Sequence, residues 1–305
     1  MTFQPQQTLR NRISCTGVGL HNGEKVCMTL HPAEANTGIV FRRGDVEGEA
    51  ATIRADYRNV VNTVMRTTIG NEHGTTVSTI EHLMAALMGC GIDNAIVEVD
   101  GPEVPIMDGS AAPFVFLIEC AGLEPLDAPR RSIEVLKPVE VRNGVSSARL
   151  MPSDSFFVSF EIVYDNPLVQ RQRCALQPLN GTFKEEVCRA RTYGFMNEYE
   201  ELRAKGLARG ASLKNAVVVA DDQILNEDGL RYEDEFVRHK ILDTMGDLYL
   251  AGAPLQAHFE GVRSGHGLNN RLLHALFDDP DAWRINGVAA ESESPRQAAT
   301  VLASA

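Results

Sequence analysis

Apolar and polar residues alternate along Lys25 to Leu30 and again along Thr37 to Phe41, with turn-forming Pro32 to Asn36 between them. This period of two predicts short antiparallel strands. Met65 to Ile69 and Thr75 to Ser78 flank Gly70-Asn71-Glu72-His73-Gly74, a plausible hairpin connection in which His73 is an exposed turn residue. The period then changes. Ile80, Leu83, Met84, Leu87 and Met88 recur at helical spacing, with Thr79 placed to cap the helix and Gly89 and Gly91 to end it. Ala95 to Val99 reads as a strand, and Ala111 to Cys120 as a second helix stopping near Gly122.

Glu124 to Pro129 is polar and twice interrupted by proline, so it reads as a surface connection, with a domain boundary near residue 128. The second half repeats the rhythm. Strands are expected around Ile133 to Val141, Ser146 to Leu150 and Phe156 to Ile162, then a helix over roughly Glu186 to Lys205, a strand at Ala216 to Val219 and a helix from about Asp234 to Ala251. The pattern is α+β, in two parts: 1–128 and 129–285. Asn94-Ala-Ile-Val and Asn215-Ala-Val-Val occupy similar places in the two parts, an echo that chance plus strand propensity explains as readily as duplication. After Trp283 the chain turns to small and polar residues, so 286–305 is expected to be a loose tail.

Composition narrows the class without naming a chemistry. The chain has 305 residues, 44% apolar and 23% charged, as expected of a folded protein. No segment approaches the roughly 18 consecutive apolar residues that span a bilayer, and the N-terminus lacks the basic-then-apolar order of a secretory signal. The expectation is a cytoplasmic protein with no transmembrane segment. Six cysteines at 15, 27, 90, 120, 174 and 188 form no C-x-x-C pair, so any bound metal should be held by nitrogen and oxygen. A net charge of −12, with no basic patch interleaved with aromatics, argues against nucleic acid. No obligate protein partner is predicted.

Two helices carry residues able to do chemistry. At 100° per residue His82 lies opposite the apolar stripe of its helix, with Glu81 beside it and small Ala85 and Ala86 nearby; an isolated histidine there is usually not a ligand. On the helix near 240, Val237, Ile241, Met245 and Leu248 share one side, while His239, Asp243 and Asp247 recur at i, i+4 and i+8 on another. An imidazole and a carboxylate one turn apart can converge on one cation, and such a set suits zinc. An ordinary helical His–Asp pair is the simpler reading of that spacing alone, and periodicity does not bring His82 to it.

Nearly the whole chain, from about residue 8 to Trp283 and leaving the tail uncovered, resembles the bacterial UDP-3-O-acyl-N-acetylglucosamine deacetylases, zinc enzymes of lipid A synthesis. The resemblance rests on Thr16-Gly-Val-Gly-Leu-His21, Ser78-Thr-Ile-Glu-His-Leu-Met-Ala-Ala-Leu87, Gly91-Ile-Asp-Asn-Ala95 and Val104-Pro-Ile-Met-Asp-Gly-Ser110 in the first half. In the second it rests on Ala190-Arg-Thr-Tyr-Gly-Phe195, Arg238-His-Lys-Ile-Leu-Asp243, Gly246-Asp-Leu248 and Ser264-Gly-His-Gly-Leu-Asn-Asn270.

The resemblance implies that His82, His239 and Asp243 bind zinc, although these ligands do not exclude Fe(II). It implies Glu81 as general base, His266 as the acid that protonates the departing amine, Asp247 as the carboxylate behind His266, and Thr192 as an oxyanion partner. Without it, His266 in a glycine-rich segment reads as an exposed loop histidine. The implied substrate is a UDP-linked, 3-O-acylated N-acetylglucosamine. Lys240 and Arg263 match positions near its sugar and diphosphate, the latter commonly lysine in relatives. Tyr193 stands where many relatives carry phenylalanine. An insertion near 191–219 would form an apolar passage for the acyl chain, with Phe195, Met196, Leu202, Leu207 and Val217 available to line or support it. The implied architecture has two similar domains, each a mainly antiparallel sheet with helices, their helix layers enclosing the site. His21 falls in a matching motif but stays outside the catalytic set, and His31, His258 and His274 have no specific chemical context.

Overall fold

The computed structural model describes residues 4–179 and 181–287. Its first strands are β1 (Pro5–Leu9), β2 (Ile13–Val18), β3 (Lys25–Pro32), β4 (Ile39–Arg43) and β5 (Thr52–Arg54). Next come β6 (Val60–Asn62), β7 (Thr68–Gly70), β8 (Thr76–Ser78), helix α1 (Glu81–Gly89), β9 (Ala95–Val99), α2 (Ala112–Ala121) and β10 (Leu123–Pro129).

The alternation in β3 buries Val26, Met28 and Leu30. β3 and β4, however, do not form a hairpin. β9 lies between them in the sheet order β2-β3-β9-β4-β5, antiparallel to β3 and parallel to β4. Asn94 fixes this insertion, because its Oδ1 accepts from the Gly38 N–H at 2.9 Å just ahead of β4. The β7–β8 hairpin follows the expected turn: Asn71 Oδ1 accepts from the N–H groups of His73 and Thr75, and His73 is exposed. Its first strand starts at Thr68, since Met65 has a left-handed backbone (φ 62°).

Two expectations in this half need correction. Thr79 does not cap α1; it adopts φ 57° and its hydroxyl donates to Glu103 Oε1 at 2.7 Å. The polar stretch ending at Pro129 is strand β10, paired antiparallel with β1. A two-stranded ribbon leaves edge positions without a ladder partner, which is where proline fits a strand.

The second half contains β11 (Ser132–Val135), β12 (Val139–Asn143), β13 (Ser146–Pro152), β14 (Phe157–Val163), β15 (Arg171–Leu176) and α3 (Thr182–Glu186). It continues with β16 (Tyr193–Phe195), α4 (Tyr199–Ala204), β17 (Val217–Ala220), β18 (Gln223–Ile224), α5 (Glu235–Tyr249), β19 (Leu255–Val262), α6 (His266–Phe277) and β20 (Trp283–Asn286). No continuous helix covers 186–205. Tertiary partners take the backbone there: Thr192 N–H donates to Gly109 O (2.7 Å), Arg191 N–H to Glu235 Oε1 (2.9 Å), and Val217 N–H to Thr192 O (2.8 Å). β16 therefore extends alongside β17, in parallel. At the other end, Trp283–Asn286 is a strand on β11, and most of the expected tail lies outside the described residues.

β19 is antiparallel to β13 and parallel to β14, as β9 is to β3 and β4. Each central strand follows a helix, α1 or α5, and precedes another, α2 or α6. The topological counterpart of β9 is thus β19, not β17, so the Asn-Ala-x-Val echo does not mark the repeat. The fold is α+β with mixed sheets, and no helix among the described residues is long and apolar enough to cross a membrane.

Candidate active site

α1 is buried on every side from Glu81 to Met88, and α5 is buried at all but Arg238 and Lys240. Both exceed the single apolar stripe of a surface helix because their polar sides face each other. His82 sits on the first turn of α1, with His239 and Asp243 one turn apart on α5, and one ligand atom from each lies within 4.8 Å of the others. Asp243 Oδ1 is 3.3 Å from His239 Nε2 and 3.5 Å from His82 Nε2. Those separations exceed the usual ~2.9 Å hydrogen bond. They match the ligand–ligand edge of about 3.3 Å that bonds of about 2.0–2.1 Å make around a tetrahedral zinc.

Protonation suits the same use. His239 Nδ1 donates to Ala190 O at 3.0 Å, which leaves Nε2 with its lone pair towards Asp243. Burial lowers the pKa of His239 to about 4, against the pull of Asp243, so the ring is neutral. His82 Nδ1 is buried without a hydrogen-bond partner among the described residues. Burial would raise the Asp243 carboxyl, but His239 and Lys240 outweigh it and hold the group well below the ordinary carboxylate range. Lys240 Nζ donates to Oδ2 at 2.8 Å, leaving Oδ1 for the cluster. The three residues fit a metal ion.

Glu81 and His266 flank this cluster, with Glu81 Oε1 4.0 Å from His266 Nε2. Burial raises the Glu81 pKa despite the two nearby histidines. His266 is the first residue of α6 and not part of a loop; its Nδ1 donates to Asp247 Oδ2 at 2.8 Å. Burial disfavours its charged form, yet Asp247 outweighs that and raises the pKa to about 9. Two residues with no assigned role in the sequence reading complete the arrangement. Thr67 donates its N–H to Glu81 Oε2 (3.1 Å) and its hydroxyl to Asp247 Oδ1 (2.6 Å), and Asn269 Nδ2 donates to Asp247 Oδ2 (2.9 Å). Asn269 stands in the Ser-Gly-His motif; Thr67 has no local signal.

Thr192 is aimed by its backbone bonds to Gly109 and Val217. Gly109 permits this with φ 84°, where an added Cβ would lie 2.1 Å from Asn215 O. A groove of about 720 Å³ includes Thr192, Tyr193, Lys240, Arg263, His266 and Arg271, so Lys240, Arg263 and Arg271 bring positive charge to it in a chain that is acidic overall. A second, mostly apolar cavity of about 500 Å³ is lined by Phe195, Met196, Leu202, Leu213, Val218 and Leu225 among others. Val217 points instead into the core, and Leu207 is not among the lining residues.

Residues 6–278 match the family model of UDP-3-O-acyl N-acetylglycosamine deacetylase. The chain is 53% identical over 302 residues to the UDP-3-O-acyl-N-acetylglucosamine deacetylase of Acidithiobacillus ferrooxidans, covering 98% of each protein. It is 53% identical over 282 residues to the protein of that name from Pseudomonas entomophila, covering 92% of each. The one from Phenylobacterium zucineum is 51% identical over 284 residues, 93% of this chain and 97% of the relative.

Proposed function

Since the chain belongs to the UDP-3-O-acyl-N-acetylglucosamine deacetylase family, we propose that it hydrolyses the N-acetyl amide of UDP-3-O-[(3R)-3-hydroxyacyl]-N-acetylglucosamine. The products are acetate and the free 2-amine, the committed step of lipid A biosynthesis, carried out in the cytoplasm. The observation that carries this reading is the convergence of His82, His239 and Asp243 beside an opposed carboxylate and imidazole, Glu81 and His266.

Zinc held by His82, His239 and Asp243 would supply Lewis acidity to polarise the amide carbonyl and acidify water. Fe(II) suits the same ligands. Glu81, raised in pKa by burial, takes the proton of the attacking water. The Thr192 hydroxyl donates to the oxygen on which charge develops. His266 stays protonated near neutral pH because Asp247 faces its Nδ1, and its Nε2 delivers that proton to the departing amine. Breaking the C–N bond without that proton would expel an amide anion, so the acid is needed for the leaving group.

Lys240 and Arg263 would take the sugar and diphosphate in the groove, and Tyr193, Phe195 and Met196 would take the acyl chain where the apolar cavity begins. Each buried CH₂ adds roughly 0.8 kcal/mol to chain binding. The same reading treats 1–128 and 129–285 as two similar domains whose helices face across the site, the second carrying the acyl-binding insertion. The repeated strand order supports it. The test is acetate release from this substrate by purified protein, with metal content measured in parallel. Folded, metal-loaded protein that releases no acetate would sink the proposal.

A further inference from the structure

Thr67 stands one residue ahead of β7, so its backbone N–H and C=O lie outside the ladder of β6, β7 and β8, yet the residue is only 2% exposed. Buried backbone groups need partners, and here the active site supplies them. The N–H donates to Glu81 Oε2 at 3.1 Å, and the carbonyl accepts from the Ile80 N–H at 3.4 Å, just ahead of α1. The hydroxyl reaches the other way and donates to Asp247 Oδ1 on α5 at 2.6 Å. One residue thus touches both helices that bear the His82–His239–Asp243 cluster.

Each carboxylate has one oxygen tied to Thr67 and the other turned to His266. The Thr67 N–H is the only hydrogen-bond donor to the Glu81 carboxylate among the described residues, which leaves Oε1 facing His266 Nε2 across 4.0 Å. That gap is longer than a hydrogen bond, so the two groups face one space and neither occupies the other. On the far side of the ring, Asp247 Oδ2 accepts from His266 Nδ1 (2.8 Å) and Asn269 Nδ2 (2.9 Å), while the Thr67 hydroxyl holds Oδ1. A carboxylate pinned at one oxygen cannot swing the other freely, and β-branched Thr67 has few rotamers of its own.

Resting on the deacetylase reading above, we propose that Thr67 is a positioning residue of the reaction, whose amide and hydroxyl together hold the Glu81 carboxylate and the Asp247–His266 pair at their working separation. Replacing the hydroxyl by a methyl group leaves Asp247 Oδ1 buried without its donor, and a buried acceptor without a partner is costly. The carboxylate would turn towards another donor and carry Oδ2, and with it the His266 ring, out of line. A displacement of about 1 Å between reacting groups can lower a rate about 10²-fold. Thr67 gives no hydrogen bond to His82, His239 or Asp243, so metal binding should be spared.

The test measures kcat and KM for acetate release from the UDP-3-O-acyl-N-acetylglucosamine substrate, with bound zinc and thermal unfolding, in wild type, Thr67→Val and Thr67→Ser. Thr67→Val should lose about 10- to 100-fold in kcat, with KM within about twofold and full zinc, and Thr67→Ser, which keeps the hydroxyl, should recover most of the rate. Wild-type kcat in Thr67→Val, or a Thr67→Ser variant as slow as Thr67→Val, overturns the assignment. So does a loss that falls on KM or zinc content instead of kcat. Should Thr67→Val not fold, Thr67→Ala removes the same hydroxyl without filling its place and is held to the same outcomes; failure of both to fold overturns the assignment in favour of a purely structural role. Wild type that releases no acetate overturns the deacetylase reading itself.

Discussion

Gly246 on α5 packs against the carbonyl of Glu81 on α1 so closely that a Cβ at position 246 would lie 1.9 Å from that oxygen. The obstacle is helix backbone, and its displacement would move His82, the next residue. Gly246→Ala would normally favour a helix by ~1 kcal/mol. Here the clash should prevail, destabilising the protein by about 1–3 kcal/mol or more and weakening metal binding. Denaturant unfolding and bound-metal stoichiometry check both effects; a variant as stable as wild type would show that the helices can separate freely.

Metal binding and proton transfer should separate by mutation. His239→Ala removes one donor of the His82–His239–Asp243 cluster and should lose metal. Glu81→Ala and His266→Ala should keep most of it while turnover falls by about 10²- to 10⁴-fold. Elemental analysis beside steady-state rates decides, and equal metal loss in all three would contradict the division of roles.

The pH profile should respond to Asp247 with a definite sign. Asp247 raises His266 to about 9, so Asp247→Asn should lower that pKa and move the alkaline limb of kcat/KM to lower pH. A limb that stays in place would assign it to another group. The same shift links to stability: a histidine raised from 6.5 to about 9 on folding stabilises fully below about 6.5, and the contribution disappears as pH rises through 9.

How much of this was legible in the sequence depended on whether a residue's surroundings are local. The α1 and α5 stripes were readable because Leu83, Met84, Leu87, Ile241 and Met245 recur at helical spacing. That both helices would be buried on their polar sides was not, since it follows from Gly246 meeting Glu81 across more than 160 residues of chain. Residues 186–205 have the local pattern of one helix but do not form it, because Thr192 and Arg191 give their N–H groups to Gly109 and Glu235. The prolines of β10 suggested a loop because an edge ribbon tolerates them and a window of sequence cannot show an edge. Long motif resemblance reached Glu81, His82, His239, Asp243 and His266 together, but Thr67, which ties Glu81 to Asp247, carries no pattern beyond an ordinary Thr-Thr pair.

A buried charge lies one turn ahead of His239 on α5. Glu235, on the first turn of α5, is fully buried and accepts from Arg191 N (2.9 Å), Nε (2.8 Å) and Nη2 (3.0 Å) and from Arg231 N (2.7 Å). Burial alone would raise its pKa, but these donors lower it, so the carboxylate is charged as Arg191 requires. The pair fixes Arg191 between Ala190, whose carbonyl accepts from His239 Nδ1, and Thr192. Glu235→Gln keeps the shape but turns an NH₂ group towards N–H donors and leaves the guanidinium uncompensated, a loss of about 3–5 kcal/mol in stability. Because the displaced segment also aims His239, metal affinity should fall with stability even though no ligand has been changed. Arg191→Lys should show the same pair of effects, since an ammonium cannot reproduce the planar fork that meets Glu235 at two nitrogens. Thermal unfolding and metal titration of both variants check this, and normal metal affinity in a destabilised variant would confine the ion pair to a purely structural role.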